Sequence, residues 1–170
     1  MIELTSTVEY NQIFSEFRNQ IMLNRFEKCS ELLCCLIHDQ NVIAYLVSLN
    51  YKYFGAIIID SCDQLNSSLT QNLITICAKY NKVRSVEFAL SRVLPSHELL
   101  QLVVKAKLIN LQKYNQTIEN LINRCVCEND SITLDYLYSN NCKFTFKNIA
   151  LIKSSQRNNI QSFCHRRFQK

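Results

Sequence analysis

Glycine and proline, the residues that most often punctuate a fold, are almost missing: 170 residues hold one of each, Gly55 and Pro95. Ordinary usage would supply about 12 glycines and about 8 prolines. Tight hairpins lean on glycine at positive φ, so the scarcity argues against a β-sandwich or barrel built on many of them. Phosphate loops of the Walker and dinucleotide type need several glycines each, which excludes a P-loop NTPase, a Rossmann enzyme or a kinase. Long apolar runs are missing as well. The run Ala56–Ile59 stops at Asp60, far short of the roughly 18 residues that cross a bilayer, so no membrane span is expected. The start, MIELTSTVEY, has neither the basic region nor the apolar stretch of a secretory signal.

What is present is 48% apolar and 19% charged, too apolar for a disordered chain. The length suits one domain over 1–170, burying roughly 70% of its unfolded surface. Charge is unevenly spread. Lys143, Lys147, Lys153, Arg157, Arg166, Arg167 and Lys170 fall in residues 136–170 beside no acid. Residues 1–135 then carry 12 cations against 14 acids, a net of −2, so the overall +5 belongs to the C-terminal fifth. A basic end of this kind suits nucleic acid, a membrane surface or an acidic protein, and a solvated terminal helix gives the same pattern. The cysteines (29, 34, 35, 62, 77, 125, 127, 142 and 164) number nine. An odd count without a secretory signal argues against a disulfide framework and for reduced thiols packed as small hydrophobes in the cytoplasm or nucleus.

Apolar residues recur at helical spacing along the chain. Val8, Ile13, Phe14 and Phe17 suggest a helix over 7–22; Leu32, Leu33, Leu36 and Ile37 one over 28–38; Val42, Ile43, Leu46 and Val47 one over 41–49. Further helices are expected over 56–64, 68–79, 82–92, 96–108, 114–128, 131–139, 146–156 and 159–167. Ser67 or Ser68 is expected to cap the helix over 68–79, and Pro95 to open that over 96–108 with Glu98 near its positive end. Some eleven short helices do not make a four-helix bundle; they suggest a solenoid of helix pairs. Of 18 asparagines, Asn50, Asn66, Asn81, Asn129, Asn140, Asn141, Asn158 and Asn159 sit where helices are expected to end. Asparagine is second to glycine in the left-handed conformation that closes a helix. A bias toward Asn, Ile, Lys, Tyr and Phe would enrich it too.

A register emerges when the helices are aligned. Residues 74–90 read ITICAKYNKVRSVEFAL, which resembles the helix pair of an ankyrin repeat. Ile74 and Ile76 take the leucine places, Cys77 and Ala78 the small pair, Asn81 the inter-helix glycine, Val86 the valine and Leu90 the last leucine. Cys125, Val126, Asn129, Leu134 and Leu137 fit the same frame, as do Ser154, Ser155, Asn158 and Phe163, and more weakly Cys34, Cys35, Ile43 and Leu46. The pairs Cys35 and Ile43, Ala78 and Val86, Val126 and Leu134, and Ser155 and Phe163 keep one spacing of eight. Small side chains let facing helices approach, and the later apolar residue packs into the next unit. The turn signature and glycine-rich hairpin of ordinary ankyrin arrays are absent. The small pairs start at 34, 77, 125 and 154, an uneven period against the usual value of about 33. Glycine-poor, Asn- and Cys-rich chains of this sort are similar to ankyrin-like proteins of large DNA viruses of the poxvirus, asfarvirus and polydnavirus type. That resemblance implies binding to host immune-signalling or ubiquitin-ligase components. An unrelated irregular helical domain and a viral Bcl-2-like fold are the competing architectures.

Cys125, Cys127, Cys142, Cys164 and His165 are zinc-ligand types, but a C-x-C in a helix points its sulfurs about 200° apart. No cysteine sits in a nucleophile motif near His38, His97 or His165, and Asp60 and Asp63 read as solvated. The segment Lys143–Lys147 interleaves cations with Phe144 and Phe146, which suits phosphate attraction and stacking, although both rings also read as core between repeats. The expectation is therefore an all-α chain, a short solenoid of degenerate ankyrin-like helix pairs. Residues 1–26 would be an N-terminal cap, followed by units 27–66, 67–115, 116–142 and 143–170. No catalytic residue, metal or cofactor is assigned. The expected function is a non-catalytic protein–protein interaction module that antagonises host immune signalling, with Lys143, Lys147, Arg157, Arg166 and Arg167 touching the partner. The alternative is a basic helical protein that binds nucleic acid through 143–170. Either would work in the host cytoplasm or nucleus rather than outside the cell.

Overall fold

The computed structural model describes residues 7–64, 66–92, 97–113 and 115–168. Within them the chain is all-α, with no strand among the described residues. The helices are α1 (Thr7–Met22), α2 (Phe26–Leu36), α3 (Gln40–Ser48), α4 (Tyr51–Asp63), α5 (Ser67–Lys79), α6 (Val83–Leu90), α7 (His97–Lys105), α8 (Gln116–Glu128), α9 (Ser131–Ser139), α10 (Phe146–Ser154) and α11 (Asn158–Phe168). Each overlaps one expected from periodicity. The largest extension is at α4, which begins at Tyr51 rather than near 56 because Asn50 caps it, accepting from the Lys52 amide at 3.0 Å. Pro95 and Lys170 lie outside the described residues.

Asparagine works at both ends of these helices. Among the described residues, four of the five left-handed non-glycine residues are asparagines (24, 81, 129 and 141), and Lys107 is the fifth. Each is followed by an amide that bonds the carbonyl five residues back: Arg25 to Gln20, Lys82 to Cys77, Leu108 to Val103, Asp130 to Cys125 and Cys142 to Leu137, at 2.8–3.1 Å. This is the Schellman closure that glycine usually serves. Asn50, Asn66 and Asn158, expected at helix ends, instead stand at helix starts. Asn66 accepts from the Leu69 amide at 3.1 Å and replaces Ser67 and Ser68 as the cap of α5. Short polar side chains mimic a turn of backbone, so the same residue suits either terminus.

Besides packing on their neighbours in sequence, most helices lie on the helix two places along. One row runs α2, α4, α6, α8, α10; the other places α3 on α5, α5 on α7 and α9 on α11. The rings of His97 and Tyr136, 4.9 Å apart, join α7 to α9. At the first end α1 packs on α2, while Phe14 and Phe17 flank Tyr45 of α3. The faces between rows hold Phe17, Leu33, Leu46, Phe54, Leu73, Leu100, Leu121, Leu134 and Phe163, all fully buried. α4 lies tightly on α6 at Gly55. A Cβ on Gly55 would meet the Phe88 ring at 2.7 Å and the Ser85 carbonyl oxygen at 2.8 Å.

This order corrects the register drawn from small residues. Cys34 lies on α2, Cys77 on α5, Cys125 on α8 and Ser154 on α10. The steps from α2 to α5 and from α5 to α8 are three helices long, so each crosses from one row to the other. Points on opposite rows are not equivalent places of a two-helix repeat. Burial agrees: Cys77 and Cys125 are buried, whereas Cys34, Cys35, Ala78 and Ser154 are exposed. The turns after α5 and α8 share one closure at Asn81 and Asn129. The helix α2 ends instead in a right-handed residue, Ile37, and α10 in an extended one, Ser155. Units 27–66 and 67–115 accordingly hold three helices each. The apolar partners on the following helices do reach the core, with Val86, Leu134 and Phe163 buried and Ile43 half-buried.

Candidate functional site: the basic end of the helix array

The last two helices close the array and carry its cationic end. α10 starts with a capping box: the Asn148 amide donates to Thr145 Oγ1 at 3.3 Å, and Asn148 Oδ1 accepts from the Thr145 amide at 3.0 Å. Ile152, Ile160 and Phe163 are fully buried. Phe163 joins Tyr138, Phe144 and Phe168 in a cluster with ring centroids 5.7–6.4 Å apart. With those positions turned inward, helical geometry turns 161, 162, 165 and 166 outward. Between α10 and α11 they border an open groove of about 560 Å³. Ile152 and Cys164 form its apolar part; Lys153, Gln161, Ser162, His165 and Arg166 supply the polar part.

The five cations singled out from sequence are separated by this arrangement. Arg166 lines the groove, its Nη2 donating to Asp135 Oδ2 of α9 at 2.6 Å. Arg167 donates from Nε to the other oxygen of Asp135 at 3.0 Å and lies over the Tyr138 ring at 5.1 Å. It therefore fastens α11 to α9. Lys147 pairs with Glu119 of α8 at 2.9 Å and ties α10 to its neighbour. Lys143 and Arg157 are exposed and make no ion pair among the described residues. Lys153 completes the groove. It sits one residue past the buried Ile152, and outward helical spacing was the signal that could have chosen it over Arg167. Phe144 is half-buried and packs against the core, but Phe146 is 87% exposed: it stands at the first position of α10, before the inward face begins.

Other chemistry-bearing side chains are dispersed. Among the described residues no group of three or more His, Cys, Asp or Glu could hold a metal ion. Cys125 is buried while Cys127 is exposed, as their helical spacing requires. Burial pushes the thiols of Cys29 and Cys77 up to about 12 and those of Cys62 and Cys142 to about 11. Such thiols stay protonated and are poor nucleophiles. His38 is exposed just past α2, and His97 Nε2 is 2.8 Å from the Gln101 amide nitrogen. Asp63 is exposed, but Asp60 is half-buried, and burial with nearby Glu27, Asp63 and Glu31 raises its carboxyl. No single helix among the described residues is long and apolar enough to cross a membrane. The bent pair α3 and α4, 119° apart, reaches that composition together, and its apolar residues Val42, Leu46, Phe54, Ile57 and Ile58 are core.

Compared with known proteins, the chain matches no family model, no curated protein and no solved structure.

Proposed function

We propose that the chain is a non-catalytic protein-binding module, a short solenoid of helix pairs that takes its partner at the basic end. The observation that supports this is the packing of α2, α4, α6, α8 and α10 in succession, with α3 on α5, α5 on α7 and α9 on α11 beside them. Stacked helix pairs bury their shared faces and leave extended outer surfaces and ends, which repeat proteins use for binding. The ankyrin-like reading of residues 74–90 adds the expectation of a host immune-signalling partner that the chain would occupy and antagonise. The test is capture from nuclease-treated host lysate on the immobilised chain. A stoichiometric protein partner is the expected result; an empty column at every ionic strength contradicts the proposal.

One observation favours a second reading. Phe146, 87% exposed, stands between the exposed Lys143 and Lys147, an arrangement on which a base could stack. Salt separates the two. Binding through several phosphates loses about three decades or more between 50 and 200 mM salt, whereas a packed protein interface loses far less.

A further inference from the structure

We propose that the groove between α10 and α11 is a docking cleft for an acidic, Asp- and Glu-rich segment of a protein partner. This rests on the protein-binding reading and adds to it the place and the chemistry of contact. Its about 560 Å³ lies within the size of ligand-holding clefts, roughly 300–1,000 Å³. Lys153 is exposed beside it with no ion pair among the described residues. The Arg166 side chain is 51% exposed and anchored to Asp135 at 2.6 Å. A guanidinium has five N–H donors, so this anchor leaves several for a ligand. Holding the fork in place also lowers the freedom lost when it meets a carboxylate. Asp135 is a positioning residue in this account.

Charge makes the occupant acidic. Neither α10 nor α11 carries an acid, so apart from Asp135 on α9 nothing on these helices competes for the two cations. The rest of the lining makes it a peptide. Ile152 and Cys164 offer apolar contact, Gln161 can donate to and accept from a main chain, and Ser162 Oγ, whose proton goes to the Asn158 carbonyl at 2.9 Å, can accept from a main-chain amide. A nucleic-acid strand would want an aromatic platform. No Phe or Tyr lines the groove, whose lining ring is the small imidazole of His165: Phe144, Phe163 and Phe168 cluster with Tyr138, and Phe146 stands outside.

The test is fluorescence polarisation with the full chain and three dye-labelled probes. These are a peptide alternating Glu and Leu, its counterpart with Gln for Glu, and an oligo-dT of similar length. The Glu peptide is expected to bind, and the Gln counterpart to bind about tenfold or more weakly. Lys153→Glu and Arg166→Gln should each weaken the Glu peptide several-fold, and Lys28→Glu on the exposed face of α2 should not. Arg166→Gln retains a donor for Asp135, and Lys153→Glu changes an exposed side chain without an ion pair, so both variants fold; their melting curves check this. Asp135→Asn loosens the anchor of Arg166 and also the Arg167 contact that fastens α11 to α9; with its melting curve unchanged it should weaken binding while Lys153→Glu still adds its own loss. No binding of the Glu peptide, equal binding to Lys153→Glu, or tighter binding of oligo-dT overturns the proposal. A lysate partner captured equally well by Lys153→Glu, with the peptide unbound, removes the groove and leaves the protein-binding reading. An empty lysate column removes both.

Discussion

At the scale of single residues, Gly55 has the largest consequence for its size. In an isolated helix, alanine there would be favoured by about 1 kcal/mol. Here the added Cβ would lie 2.8 Å from the Ser85 carbonyl oxygen, which is backbone and does not swing aside. Overpacking of this kind costs about 1–3 kcal/mol. Set against the helix-propensity gain, Gly55→Ala is therefore expected to lower stability by about 0–2 kcal/mol in urea denaturation at unchanged slope; a stabilised variant would contradict the close approach of α4 and α6. Asp60 offers a signed pH test. Its folded-state carboxyl is raised above the ordinary 3.8 chiefly by burial, against a Ser30 hydrogen bond that lowers it, with smaller upward pushes from Glu27, Asp63 and Glu31. A raised group adds stability that is complete below the ordinary value and lost as pH rises through the raised one. Asp60→Asn should therefore raise the melting temperature at neutral pH and give no gain in acid. A gain that grew toward low pH would reverse the sign. Asp39 runs the other way: the Tyr10 hydroxyl, donating at 2.7 Å, holds its carboxyl down, and that contribution is lost as pH falls.

At the scale of elements, the closures replace what the composition lacks. Asn129 has φ 61° and the Asp130 amide reaches the Cys125 carbonyl at 2.9 Å. Asn129→Gly is expected to be neutral or slightly stabilising in thermal melts, and Asn129→Val to cost about 1–2 kcal/mol, the price of a left-handed β-branched residue. Equal stabilities for the two would mean that the turn is not left-handed. Much of this level was legible in sequence, because helix periodicity is local and asparagine carries the closing conformation in its own short side chain. That is why Asn81, Asn129 and Asn141 were legible as helix ends. Direction was not legible at Asn50, Asn66 and Asn158, since an amide oxygen that closes one helix can equally open the next. Phe146 misled for a related reason: an aromatic two residues from Phe144 reads as core unless the helix start is placed to the residue.

At the scale of the whole molecule, local likeness and array position part company. The turns at Asn81 and Asn129 are built alike, yet three helices separate them and they stand in opposite phase of the two rows. Sequence spacing records the first property and not the second, which depends on counting helices. The groove was half legible for the same reason. Charge pointed to the C-terminal fifth and to Arg166, but which cations are consumed in holding helices together depends on Asp135 and Glu119, both outside that segment. The result is a chain whose basic end is partly anchored and partly presented. Amide chemical-shift mapping of the full chain by NMR, on addition of the alternating Glu and Leu peptide, tests this most directly. The account predicts shifts concentrated between Ile152 and Arg166 with α1 to α6 unmoved. Shifts centred on Phe146 or on the α2 to α6 surface, or none at saturating peptide, would contradict it.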